Sequence, residues 1–184
     1  MRNKIILAVA IAIISVAAIC FSIAASAYDE PTPEPEIKTV PVYVENEPVT
    51  SWEEIPLDTE LQEFIVERCS EYNIRPAIIF AMCQRESQYT VDAIGDGGDS
   101  YGLLQIQPRW HYGRMLELES TNLLDPYHNV TVGIDILAEL IEKYDEKICA
   151  ALVAYNAGSY NGTVTEYAET IINEAERLDK EVLK

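Results

Sequence analysis

The chain is poor in basic side chains and nearly empty of histidine: 13 Lys and Arg stand against 31 Asp and Glu, a formal net charge of −18 over 184 residues. No cluster of Lys or Arg occurs anywhere in the sequence. Phosphate backbones and anionic membrane surfaces are held by such clusters, so nucleic acid is excluded as the main ligand. A polymeric substrate would instead be recognised through hydroxyls, amides and ring stacking. The two histidines, His111 and His128, have no Cys or acidic pair beside them at ligand spacing, so no metal and no metal cofactor is expected. Cysteine is scarce too. Beyond Cys20 only Cys69, Cys83 and Cys149 remain, an odd number that permits at most one internal disulfide. All three fall on apolar helix faces, where small buried residues are expected. Internal repeats are absent.

What is present divides the chain in three. Arg2 and Lys4 precede an apolar run from Ile5 to Ala25, and Ala25-Ser26-Ala27 suits signal peptidase. The run is also long enough to span a membrane, which takes about 20 apolar residues. Residues 1–27 are therefore either a cleaved signal peptide or a retained N-terminal anchor, and both export the remainder. Bulky Ile19 before Cys20 argues against a lipid anchor there. Residues 28–54 hold five of the nine prolines and many acids, which reads as an extended linker with one weak strand signal at Val40, Val42 and Val44. Residues 55–184 have the size of one domain with one core.

That domain has helical periodicity almost throughout. Leu61, Phe64, Ile65, Cys69 and Tyr72 recur at three- and four-residue steps after a cap at Asp58 or Thr59, and Asn73 ends the run. Pro76 suits the first turn of a second helix carrying Ile79, Met82, Cys83 and Glu86 on one stripe. A third helix opens at Asp125-Pro126 with Val130, Ile134, Leu137, Leu140, Ile141 and Tyr144 facing inward. A fourth covers about 146–156 and stops at Gly158, which tolerates the positive φ of a C-cap. The last runs from about 163, with Val164, Tyr167, Ile171, Ala175 and Leu178. Between the second and third helices lies a turn-rich stretch, Gly95 to Asp99. After it, Tyr101–Ile106 reads as a short strand or an irregular run, and Arg114–Leu118 as a short helix. The fold class is mainly α, of about five to seven helices with one irregular loop region.

Glu86 shares its helix face with Met82 and Cys83. Burial there would raise its pKa and let it hold a proton near neutral pH. By helix position alone, however, an exposed helix-end acid paired with Arg85 or a neighbour is the ordinary reading. Its surroundings in the sequence reverse this. Glu86-Ser87 is followed by Gly102-Leu103-Leu104-Gln105-Ile106, and later by Ala154-Tyr155-Asn156-Ala157-Gly158. With Asp125-Pro126, Asn129, Gly133 and Tyr167 in the same order, the sequence from about Leu61 to Leu178 resembles the soluble lytic transglycosylase catalytic domain. That is a branch of the lysozyme-like superfamily related to goose-type lysozymes.

The resemblance implies a lysozyme-like domain acting on peptidoglycan glycan strands without a cofactor, as an exported monomer that meets membrane only through an uncleaved N-terminal segment. It implies Glu86 as the single catalytic acid, with Ser87, Gln105, Tyr155, Asn156 and Tyr167 around the substrate. Each of these has an ordinary structural alternative. Gln105 could hydrogen-bond backbone in an irregular segment, Tyr155 could be core with its hydroxyl satisfied locally, and Asn156 could simply end a helix. Trp110, His111 and Tyr112 form an aromatic group suited either to stacking on sugars or to packing the loop down. Leu104 replaces the family's usual Met, and Ser100-Tyr101 replaces its usual small residues, which puts the loop's shape in question. Most glycosidases use two carboxylates. Asp92, Asp96 and Asp99 lie nearby in sequence, but turn formation accounts for them, and none has a family counterpart. A single acid suffices if the substrate supplies its own nucleophile, and the resemblance implies that this is the sugar's C6 hydroxyl, closing a 1,6-anhydro ring. Hydrolysis by water on the same bond, and glycan binding without cleavage, are the alternatives.

Overall fold

The computed structural model describes residues 52–182. The apolar run with Cys20, and residues 28–51 of the expected linker, lie outside the described residues. Among the described residues no helix is long and apolar enough to cross a membrane.

Among the described residues, six helices and one two-stranded sheet follow in order: α1 (Thr59–Glu71), α2 (Pro76–Ser87), β1 (Ile94–Gly95), β2 (Ser100–Tyr101), α3 (Pro108–Glu117), α4 (Pro126–Lys143), α5 (Ile148–Ala157) and α6 (Glu166–Val182). The mainly α expectation holds. Side-chain chemistry explains most of the helix ends. Asp58 caps α1, its carboxylate accepting from the Leu61 N–H at 2.8 Å. Proline occupies the first turn of α2, α3 and α4, where no intrahelical donor is lost. Asp125 caps α4 by accepting from the N–H groups of Tyr127 and His128. Gly158 ends α5 with φ +79°.

Two helices are buried on all sides. Residues 76–83 of α2 and 149–154 of α5 are buried without a break, which a single apolar stripe does not produce. α6, by contrast, buries one stripe, from Tyr167 and Ala168 through Ile171, Ile172 and Ala175 to Leu178, and packs it chiefly on α2. α4 covers α5 and α1. The core also takes in residues ahead of the expected domain edge at 55. Trp52 is buried with its ring 5.0 Å from that of Phe80, and Gln62 on α1 ties down this lead-in through the carbonyls of Ile55 and Leu57. The packed domain therefore includes Trp52, which linker-like composition had concealed.

The irregular region differs from the expectation in detail. Only Ser100 and Tyr101 are strand, paired antiparallel with Gly95 and Ile94, and Tyr101 makes one further bridge to Ile106. Residues between them cannot continue a strand because Gly102 and Gln105 have φ of +71° and +45°. α3 begins six residues before Arg114, at Pro108, and α6 begins after Val164 rather than at 163.

What holds this region is Asn129 of α4, fully buried. Its Oδ1 accepts from the Leu104 N–H at 2.8 Å, and its Nδ2 donates to the carbonyls of Tyr101 at 2.8 Å and Leu123 at 3.0 Å. Gly102 must be glycine here: its φ is positive, and a Cβ would lie 2.3 Å from Asn129 Nδ2 and 2.4 Å from the Leu123 oxygen. One turn along α4, Gly133 leaves room for the Leu104 side chain, which would sit 2.3 Å from a Cβ there. Replacing Asn129 by Ala strands one buried N–H and two carbonyls. The expected cost is about 3 kcal/mol, measured by urea denaturation, with a further loss of order in residues 101–105 seen as faster amide exchange.

Candidate active site

Glu86 closes the last turn of buried α2 and is itself half-buried. Tyr167, in the first turn of α6, donates its hydroxyl proton to Glu86 Oε1 at 2.5 Å. Burial pushes the Glu86 carboxyl above the usual range, and the negative charge of Asp96 adds to this. The Tyr167 hydrogen bond and the Arg85 charge oppose the shift without cancelling it. Burial and the Glu86 charge push the Tyr167 hydroxyl up strongly as well, so it remains a donor. Ser87 is turned away from this pair. Its hydroxyl donates back along α2 to the Cys83 carbonyl at 3.0 Å, and it does not line the cleft beside Glu86.

That cleft has a volume of about 910 Å³. Glu86, Gln105, Tyr155 and Asn156 line it together, so four of the six expected residues meet on one surface, with Tyr167 behind Glu86. Gln105 is placed by its own backbone. Its Nε2 donates to the Gly102 carbonyl at 2.9 Å, while its Oε1 occupies the space a Cβ at Gly95 would need, 2.1 Å away. Tyr155 donates to the Leu104 carbonyl at 3.0 Å, and its hydroxyl is raised by burial and then by the Glu86 charge. Both side chains thus satisfy local hydrogen bonds and still face the cleft. Asn156, at the open end of α5, is exposed.

The cleft also contains residues outside the six expected around the substrate. Asp96, Ser100 and Gln107 line its lip and bond one another: Ser100 Oγ donates to Asp96 Oδ2 at 2.5 Å, and Gln107 Nε2 donates to the same oxygen at 3.0 Å. Trp110, 73% exposed, lines the outer part with the Arg109 guanidinium 5.4 Å from its ring centroid. His111 lines the cleft too, its pKa lowered by burial and by Arg114. Tyr112 is exposed and outside it. Arg114 lines the cleft, but its charge is met by Asp135 at 2.8 Å and by Glu139. Among the described residues no group of three His, Cys, Asp or Glu side chains converges as a metal site would.

The family model described as Transglycosylase SLT domain matches residues 63–174, more than half of the chain. The chain belongs to the SLT domain family. The Invasion protein IagB of Salmonella typhimurium (strain SL1344) is 35% identical over 94 residues, covering 48% of this chain and 58% of that protein. The IagB of Salmonella typhi matches over the same extent. The chain thus spans less than two thirds of the length of these curated relatives. An inactive mutant of the lytic transglycosylase Slt from Pseudomonas aeruginosa superposes with a TM-score of 0.59 at 17% identity, over 70% of this chain and 25% of that one. At that identity the likeness is one of fold, and it confirms the lytic transglycosylase-like architecture. Trp52 and the end of α6 lie outside the SLT match and complete its core.

Within the SLT domain the Tyr167–Glu86 bond gives a signed test. A hydrogen bond to the charged form lowers a carboxyl pKa, so its loss raises it. In Tyr167→Phe the Glu86 carboxyl should titrate at higher pH than in the parent, followed by NMR of the labelled side-chain carboxyl. An unchanged or lower midpoint would contradict the assigned donor.

Proposed function

We propose that the SLT domain of this chain is a lytic transglycosylase that cleaves the β-1,4 bond between N-acetylmuramic acid and N-acetylglucosamine in peptidoglycan. The observation that carries this is Glu86, a carboxyl with a raised pKa at the end of a buried helix, opening into a cleft walled by Gln105, Tyr155 and Asn156. A carboxylic acid kept protonated by burial can donate to a glycosidic oxygen as the bond to C1 breaks. The ionised Glu86 then takes the proton of the muramic C6 hydroxyl, whose oxygen bonds to C1. The product is a 1,6-anhydro end, and Glu86 returns to its protonated form. The 2-acetamido group assists by stabilising the cationic centre.

Gln105, Asn156 and Tyr155 orient the sugars by neutral hydrogen bonds, which suits an acidic protein acting on an anionic polymer. Tyr167 holds the Glu86 carboxyl in position. Ser87, its hydroxyl bonded back to the Cys83 carbonyl, is left out of this substrate contact set. The site of action is the cell wall outside the membrane, reached by export through residues 1–27 and linked by the proline-rich segment. The domain works there as a monomer.

Glu86→Gln should lower release of glycan fragments from purified wall by about 10²- to 10⁴-fold, the usual weight of a general acid. Folding raises the Glu86 pKa, so the folded state binds more protons between the unfolded and folded values. Stability therefore falls as pH rises through that window, and the penalty persists above it. Glu86→Gln removes the penalty and should melt no lower than the parent at neutral pH. Undiminished lysis would remove Glu86 from the mechanism. Mass spectrometry that finds no anhydro ends at all would remove the ring closure.

A further inference from the structure

The three neighbouring aromatic residues of α3 occupy different places. Tyr112 is exposed outside the cleft, His111 is half-buried in its wall, and Trp110 lines it with 73% of its surface open. A ring that exposed does not pack the loop down; Met115 is the residue that buries α3 against the core. Yet Trp110 is not loose. The Arg109 guanidinium lies over its ring, 5.4 Å from the centroid. The same guanidinium pairs through Nη1 with Asp99 at 3.1 Å and donates through Nη2 to Gln107 Oε1 at 2.7 Å. Gln107 in turn donates to Ser100 Oγ at 3.1 Å, and Ser100 is 1% exposed. An exposed ion pair alone would hold little. Here the chain of bonds ends on a buried hydroxyl. One face of the indole is thus covered by a braced cation, and its wide exposure leaves the other face open.

We propose that the open face of Trp110 is a stacking platform for a pyranose ring of the bound glycan, an outer subsite of the cleft, with Arg109 as the residue that positions it. This deepens the reading of the cleft as a glycan site and rests on it. In β-1,4-linked N-acetylhexosamines the ring substituents are equatorial, so the axial C–H bonds form apolar faces. Such a face matches an indole in size, while the hydroxyls and amides at its rim suit polar wall residues such as Gln105 and Asn156. Neutral stacking also sets no charge of this acidic chain against an anionic polymer. A platform remote from bond making grips substrate and transition state alike, so its loss should weaken binding and leave the chemical step alone.

The chain has two tryptophans, Trp110 exposed and Trp52 buried, so acrylamide quenching of the free protein reports mainly on Trp110. Peptide-free strands of alternating N-acetylglucosamine and N-acetylmuramic acid, added to the Glu86→Gln protein, should protect the quenchable emission and shift it to the blue. Trp110→Ala in that background should raise the Kd of the strands, measured by calorimetry, by about tenfold, the weight of one aromatic anchor. In the otherwise unaltered chain the same change should raise KM and leave kcat where it was. Arg109→Ala should raise Kd by a smaller factor and lower the tryptophan anisotropy of the free protein, and Arg109→Lys, which keeps a cation over the ring, should recover part of both. Quenching that the strands leave untouched, while the parent still lyses wall, overturns the platform and leaves the transglycosylase reading intact. Protection without any lysis by the parent sinks that reading and keeps the platform. A fall in kcat at unchanged KM in Trp110→Ala also overturns the platform, because the ring would then act on the chemistry rather than on binding.

Discussion

The amide of Asn129 is fully buried and spends all its principal hydrogen bonds on backbone: one N–H and two carbonyls of segments that make neither helix nor sustained strand. Buried peptide groups without partners are costly, so an irregular loop can cross a core only where a side chain completes its bonds. Asn129 does this from the second turn of α4, and the geometry around it follows. Gly102 must lack a Cβ to let the amide approach, and Leu104 is drawn down over Gly133. The Leu104 carbonyl, on the other face of the same residue, accepts from Tyr155. One residue thus joins α4 to α5 through the loop. Gln105, next in sequence, is presented to the cleft because its neighbour is fixed on both sides.

The cleft is accordingly the meeting point of two buried helices and one pinned loop. α2 and α5 are apolar all round until their last turns, where they reach the surface and become polar: Glu86 in one, Tyr155 and Asn156 in the other. Burial along α2 also sets the chemistry at its end. The desolvation that raises the Glu86 pKa comes from the same packing that stabilises the helix, and Tyr167 joins that packing from α6. Stability and acid strength are therefore coupled at this residue. A looser contact between α2 and α6 would admit water and return Glu86 toward an ordinary carboxylate.

Helix boundaries were legible in the sequence because each has a local chemical cause: Asp58, Asn73, Pro76, Asp125-Pro126 and Gly158 act over one turn. Pro108 carried the same signal as Pro76 and marks the true start of α3, ahead of the Arg114 expected from apolar content alone. The motif residues Gln105, Tyr155 and Asn156 were legible through family order, and Tyr167 by its place after them. The orientation of Ser87 was not, because donation to the i−4 carbonyl competes with any outward role and leaves no trace in composition. Trp52 was hidden by the acidic and proline-rich residues before it. Asp96 was hidden by its setting. In a Gly-Asp-Gly-Gly-Asp run an aspartate has a sufficient reason to exist as a turn residue, and Asp96 does have the positive φ of one, +49°. Only pairing of β1 with β2 brings Ser100 against it.

The surroundings of Glu86 favour its protonated form more than those of an ordinary surface carboxylate do. Glu86 is half-buried with a single neutral donor, and burial raises its pKa. One oxygen of Asp96 accepts from both Ser100 and Gln107. The negative charge of Asp96 makes ionising Glu86 harder. The Tyr167 hydrogen bond opposes this rise, so the carboxyl is buried without losing a partner for its ionised form.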